Sequence, residues 1–223
     1  GIYTLSAQSF GAKQHKEENA LWLWRCGFVL LVVFLLFTVP ATLCSENLLL
    51  EMAQPPDVGR ASATSAKVNL VGVPFVWAAS ALQAATDSAQ DTKPGLYASA
   101  VASLLQVLLS VIAVHPALLD WGYLGLAAAG SASGMARFCL MVAIIHYKKL
   151  GPTIWTIAPS RRHLVYDVAG LRLFVAVALP PAVVWWVDWW SFEGLTVMVG
   201  LLPDATATLA AHGAMFNVLV TCY

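Results

Sequence analysis

Charge is scarce in this chain. Twelve Lys and Arg and twelve Asp and Glu are spread over 223 residues, 11% in all, against about a quarter in an average soluble domain. The two signs cancel, so no basic surface is left to gather a nucleic acid, and that partner class is excluded. Cysteine is sparse too. Cys26, Cys44, Cys139 and Cys222 stand far apart, without the close pairs of a zinc site or a disulfide framework. His115, His146, His163 and His212 are singletons near the ends of apolar segments. The sequence has no glycine-rich phosphate loop, nucleophile elbow or metal-ligand pair. Neither an enzyme nor a resident cofactor or metal is therefore expected.

What the chain has instead is apolar length: 59% of its residues are hydrophobic. A helix crosses the hydrocarbon core of a bilayer with about 20 apolar residues. Leu21 to Val39 is nearly uninterrupted apolar sequence ending at Pro40, with Trp22 and Trp24 where an interfacial aromatic belt would sit. Ser9 to Asn19 before it, and Glu46 to Ser62 after it with Pro55-Pro56, read as polar loops. Ala66 to Ala85 is a less apolar helix carrying Asn69, Pro74 and Gln83, expected to face protein or a cavity rather than lipid.

Pro94 opens the next helix, to about Val114, whose Ser99, Ser103, Gln106 and Ser110 fall on one stripe, read as a packing seam. After a short connection through His115-Pro116 and Asp120, Tyr123 to Tyr147 forms another helix. Small residues from Ala127 to Gly134 should let a neighbour approach closely there. Lys148 to Gly170 is the longest polar stretch and the expected boundary between two halves. Leu171 to Leu202 follows as a long helix with Pro180-Pro181 near its start, then a tight turn at Pro203-Asp204 and a last helix from Ala205 to Tyr223.

The expectation is an all-α, polytopic, multi-pass membrane protein of about five full spans with a stub at each end. The chain opens without Met, on Gly1-Ile2-Tyr3, and stops at Cys222-Tyr223 within an apolar segment, so it is expected to be part of something longer. Lys13, Lys16, Arg25, Lys93, Lys148, Lys149, Arg161, Arg162 and Arg172 collect on one side of the spans, and Arg60 and Lys67 on the other. The richer side is cytoplasmic by the positive-inside rule.

Three ionisable residues lie within spans: Arg137, Asp188 and Glu193. A charge at the bilayer centre costs roughly 2.5 to 3.5 kcal/mol on insertion scales, so each needs a reason. Asp188 sits at the middle of its span among Trp185, Trp186, Trp189 and Trp190. An acid so placed can exchange a proton for a cation as a cavity alternates between two sides, the minimum chemistry of an antiporter. Glu193 is five residues on, about 140° round the helix and roughly 7.5 Å further along. It lies nearer the far interface, where a solvated role competes with a coupling role. Arg137 reads as a structural charge. The indoles pack or anchor, and can also contact an organic cation through their faces.

Gly1-Ile2-Tyr3-Thr4-Leu5-Ser6-Ala7-Gln8-Ser9-Phe10-Gly11-Ala12-Lys13 resembles the end of helix 2 of eukaryotic multidrug and toxic compound extrusion (MATE) transporters. Leu179-Pro180, the run Asp188-Trp189-Trp190-Ser191-Phe192-Glu193 and Gly200-Leu201-Leu202-Pro203 resemble helix 7. Thr86 to Gln90 stand where that family closes helix 4 with Ala-Gln. The resemblance covers the whole chain and implies part of a fold of twelve helices in two lobes, here from the end of helix 2 into helix 8. Residues 1–150 would belong to the first lobe, 151–170 to the cytoplasmic connection and 171–223 to the start of the second.

It implies export of organic cations, xenobiotics or metabolites in exchange for protons or sodium, by a protein that is monomeric when complete. Asp188 and Glu193 would then carry coupling. Trp185, Trp189, Trp190, Gln90 and Asn69 are candidates for the substrate cavity. The family usually has Glu where this chain has Asp188, and an aromatic or neutral residue where it has Arg137. The alternatives are a lipid-linked glycan flippase of the same broader superfamily, whose cavity should carry several basic residues for a pyrophosphate, and an inactive truncated piece.

Overall fold

The computed structural model describes residues 2–11, 17–202 and 204–222, and every regular element among them is helical. In chain order these are α1 (Ile2–Gly11), α2 (Glu17–Val33), a π-helical turn (Phe34–Thr38), α3 (Val39–Leu43), α4 (Ser45–Glu51), α5 (Pro56–Leu70) and α6 (Val73–Ser88). Then follow α7 (Lys93–Val114), α8 (Gly122–Tyr147), α9 (Gly151–Ile154), a 3-10 helix (Pro159–Tyr166), α10 (Val168–Val199) and α11 (Ala205–Cys222). Four stretches are long and apolar enough to cross a membrane: Glu18–Leu43, Lys93–Val114, Gly122–Tyr147 and Val168–Val199. The bent pair α5–α6 makes a fifth if it counts as one span. The expected five full spans are reached only with that pair counted as one.

Proline accounts for both irregularities in the first spans. Pro40 has no N–H to give to the residue four before it, and its ring crowds that carbonyl. The backbone widens just upstream, where the Val39 N–H donates to Phe34 O across a π-turn, and the helix continues. At Pro74 the same conflict is resolved by a break: α5 ends, Val71 and Gly72 turn, and α6 leaves at 53°. This corrects the reading of Ala66 to Ala85 as one helix. Glu46 to Ser62, read as a loop, is mostly α4 and the start of α5. Pro56 sits at the first position of α5, where a missing N–H is harmless. Residues 12–16 of the expected Ser9 to Asn19 loop, with Lys13 and Lys16, and Pro203 of the expected Pro203-Asp204 turn, lie outside the described residues.

The hub is α8, against which α5, α6 and α7 all pack. Within the expected small-residue stretch, a Cβ on Gly134 would lie 2.5 Å from Val76 Cγ2; outside it, one on Gly125 would lie 2.7 Å from Ala113 Cβ. On α7 the seam is formed by Ala98, Ala102 and Ala113, all buried, one position round from the serine stripe. The core runs from Ala98 through Leu82, Ala85, Met141 and Ile145 to Leu23, Ile154 and Phe174. The polar stretch from Lys148 to Gly170 is not loose chain. α9 and the 3-10 helix pack on α2, where buried Arg25 lies over the Trp22 ring at 4.6 Å and donates from Nη2 to Leu164 O at 2.9 Å.

On the basic side, Lys148 at the end of α8 meets Asp91, between α6 and α7, at 2.7 Å. The Lys148 hydrogen bond holds the Asp91 carboxyl below its ordinary value. A depressed folded-state value means the pair stabilises above the unfolded carboxylate's range, near pH 4, and stops doing so as pH falls through the folded value. Asp91→Asn is expected to lower stability by about 1 kcal/mol at pH 7. In thermal melts against pH, its difference from the parent should shrink to nothing in acid.

Candidate functional site

Two places in the fold carry polar chemistry at membrane depth. The first is a cleft of about 480 Å³ between α5, α6, α7 and α8, walled by Asn69, Ser99, Ser103, Gln106, Ser131, Ser133 and Arg137. The bend at Gly72 and the glycines Gly130 and Gly134 line it as well, so the break between α5 and α6 opens the space that these side chains share. Ser131 Oγ donates to Val68 O at 3.2 Å, and Ser133 Oγ reaches Gly130 O at 2.9 Å and Gln106 Oε1 at 3.2 Å. The serine stripe of α7, read as a seam, thus presents Ser99, Ser103 and Gln106 to the cleft.

Arg137 donates from Nη2 to Gln83 Oε1, and its buried Nε has no partner among the described residues. Gln83 is wedged there because α7 offers Gly95: a Cβ on Gly95 would lie 2.7 Å from Gln83 Cγ. Sequence reasoning missed this pair. The signal available was Gln83 and Arg137 standing near mid-span on two neighbouring helices. Of the cavity candidates, Asn69 lines the cleft. Gln90 is elsewhere, exposed at the end of α6 with φ 61°, its N–H on Asp87 O at 3.0 Å.

The second place is α10. Its N-terminus is capped by Asp167, whose carboxylate accepts from the Gly170 N–H at 2.9 Å, and Gln54 holds the far end by donating to Val197 O at 3.3 Å. Pro180 and Pro181 lie in its interior rather than near its start. At 1.5 Å per residue, about 40 Å separate Arg172 from Val199. A hydrocarbon core of about 30 Å that falls between Arg172 and Val199 encloses Asp188, at least about 6 Å from either face. Glu193 is enclosed by only some placements.

Asp188 and Glu193 are both exposed on the surface of the chain, and neither has an ion-pair or hydrogen-bond partner among the described residues. The indoles do not surround Asp188. At 100° per residue all four occupy an arc from about 60° to 200° on one side of it. They pair along the helix, Trp185 with Trp189 at 6.4 Å and Trp186 with Trp190 at 6.3 Å. Glu193, at about 140°, shares the indole face instead. From α11, Phe216 packs on Trp189 and Phe192, and His212 Nε2 lies 3.1 Å from Thr196 Oγ1.

A bundle of helices long and apolar enough to span, with a polar cleft among them, is the build of a polytopic helical membrane protein. The MatE family profile matches residues 1–112 of the 223, and the chain belongs to the MATE family. It is 24% identical over 220 residues to multidrug and toxin extrusion protein 1 of Danio rerio, covering 99% of this chain and 35% of that protein. It is 26% identical over 208 residues to protein DETOXIFICATION 8 of Arabidopsis thaliana, covering 92% of this chain and 40% of the relative. The crystal structure of the eukaryotic MATE transporter AtDTX14 shares its fold with a TM-score of 0.76 at 22% identity, over 96% of this chain and 46% of that one. The chain spans 20% to 40% of the lengths of the curated relatives it matches.

Proposed function

We propose that this chain is the central section of a secondary antiporter that exports organic cations, xenobiotics or metabolites in exchange for protons or sodium, with Asp188 as the coupling acid. The observation that carries the reading is Asp188 itself. It lies within the hydrocarbon when the core falls between Arg172 and Val199, and its carboxylate is exposed without a partner among the described residues. A charge left in that state against lipid alone would oppose insertion. A wet cavity between this chain and further helices gives it a reason to be there. The names of the relatives, multidrug and toxin extrusion protein and DETOXIFICATION, support the same substrate class.

In this reading Asn69 and the indoles contribute to the substrate path, and Glu193 is a second acid nearer the interface. A flippase for a pyrophosphate-linked glycan fits less well, because Arg137 is the one basic side chain among the described residues lining the cleft. The test is uptake of a fluorescent organic cation into vesicles holding a full-length protein that carries this segment, under an imposed proton or sodium gradient. Accumulation that follows one gradient and collapses with an ionophore supports antiport. Uptake indifferent to both gradients overturns it.

A further inference from the structure

Away from the polar cleft, the chain has a second kind of hollow. A trough of about 530 Å³ runs between α2, α6 and α8, with Trp24, Gly27, Leu31, Phe34, Trp77 and Phe138 among its walls. Trp24 to Phe34 is ten residues, about 15 Å of helix, which is the depth of one leaflet of a 30 Å hydrocarbon core. It starts at the cytoplasmic end, where α2 begins, and stops near mid-membrane, where Phe34 meets Trp77 edge-on at 6.2 Å.

At the shallow end, Trp24 and Trp155 are shared with a second hollow of about 530 Å³, lined also by Thr156, Arg162 and Tyr166. Trp24 Nε1 donates to Trp155 O at 2.9 Å, which fixes the threshold between the two. Arg162 is exposed there and has neither an ion-pair nor a hydrogen-bond partner among the described residues. The hollow therefore offers an apolar slot one leaflet deep, an indole at the interface and a cation above it, on the basic side of the protein.

We propose that these joined hollows bind one anionic phospholipid of the cytoplasmic leaflet, an acyl chain in the trough and the phosphate at Arg162. The charge complements the lipid: the cytoplasmic leaflet is negative, and one Arg at its surface contributes about a five-fold preference for an anionic headgroup. The bound lipid would bridge α2, α6 and α8 to the segment after α9. It would make the packing of that segment depend on membrane composition, independently of what is transported.

Native mass spectrometry of the full chain in detergent, with palmitoyl-oleoyl phosphatidylglycerol or phosphatidylcholine added, tests this. Phosphatidylglycerol is expected to be retained about five-fold better in the first bound position. Arg162→Gln should bring the two lipids within about two-fold of each other. Gly27→Leu should reduce retention of both, because Gly27 lines the trough and a Cβ there meets nothing within 4 Å. Helical circular dichroism should be unchanged in both variants. Equal retention of the two lipids by the parent, a preference that survives Arg162→Gln, or unchanged retention in Gly27→Leu each overturns the proposal.

Discussion

Asp188→Asn is expected to abolish gradient-driven export while leaving the protein inserted and folded. The amide keeps the shape of the side chain and removes the one event an exchanger needs, gain and loss of a proton or a metal cation. With the hydrocarbon between Arg172 and Val199, Asp188 stays clear of both interfaces. Insertion should not suffer, since a neutral amide costs less than a carboxylate at membrane depth, and no ion pair among the described residues is broken. Asp188→Glu keeps the charge on a stem one methylene longer and is expected to retain coupled transport with a changed rate. Glu193→Gln, nearer the interface and on the indole face, should alter apparent substrate affinity more than coupling. The measurement is initial uptake into vesicles at matched protein content, with and without a proton or sodium gradient. Undiminished coupled uptake by Asp188→Asn would remove this residue from the mechanism.

Much of this architecture was readable as sequence because bilayer thickness sets a length that apolar runs either reach or miss. Leu21 to Val39, Pro94 to Val114 and Tyr123 to Tyr147 lie on helices long and apolar enough to span, and Leu171 to Leu202 does so as far as Val199, where its helix ends. Where composition is mixed, that rule has nothing to measure. Glu46 to Ser62 looks like a loop to a hydropathy argument, yet Pro56 to Leu70 is a helix held by packing on α8.

The cleft was illegible for a different reason. Asn69, Ser103, Ser133 and Arg137 come from three helices, and their meeting depends on a 53° bend that one proline and one glycine impose. A stripe of serines on α7 says that something polar faces it, not whether that something is a helix or a space. The tryptophans illustrate the converse. Closeness in sequence suggested an enclosure round Asp188, whereas helical geometry places them all to one side of it.

Gly72→Val is expected to be the most damaging single change in the scaffold. A Cβ at this position would lie 2.6 Å from Ser131 Cα and 2.9 Å from Ser131 Cβ. The obstacle is the backbone of α8 and not the tip of a flexible side chain, so helices must move apart. Forcing extra carbons into a packed seam costs typically 1 to 3 kcal/mol and sometimes more, about 3 to 10 °C of melting temperature for a chain of this size. Gly27→Ala is the control: it adds a Cβ where nothing lies within 4 Å, and exchanging glycine for alanine inside a helix should stabilise by up to about 1 kcal/mol. Melting both variants by circular dichroism in the same detergent separates crowding from helix propensity. A Gly72→Val protein as stable as its parent would mean that α6 and α8 are not held at this distance. The consequence reaches the site as well. Gly72 lines the cleft, so α8 displaced by even part of an ångström carries Ser131, Ser133 and Arg137 with it. Any folded remainder of this variant should therefore show altered substrate affinity with Asp188 unchanged.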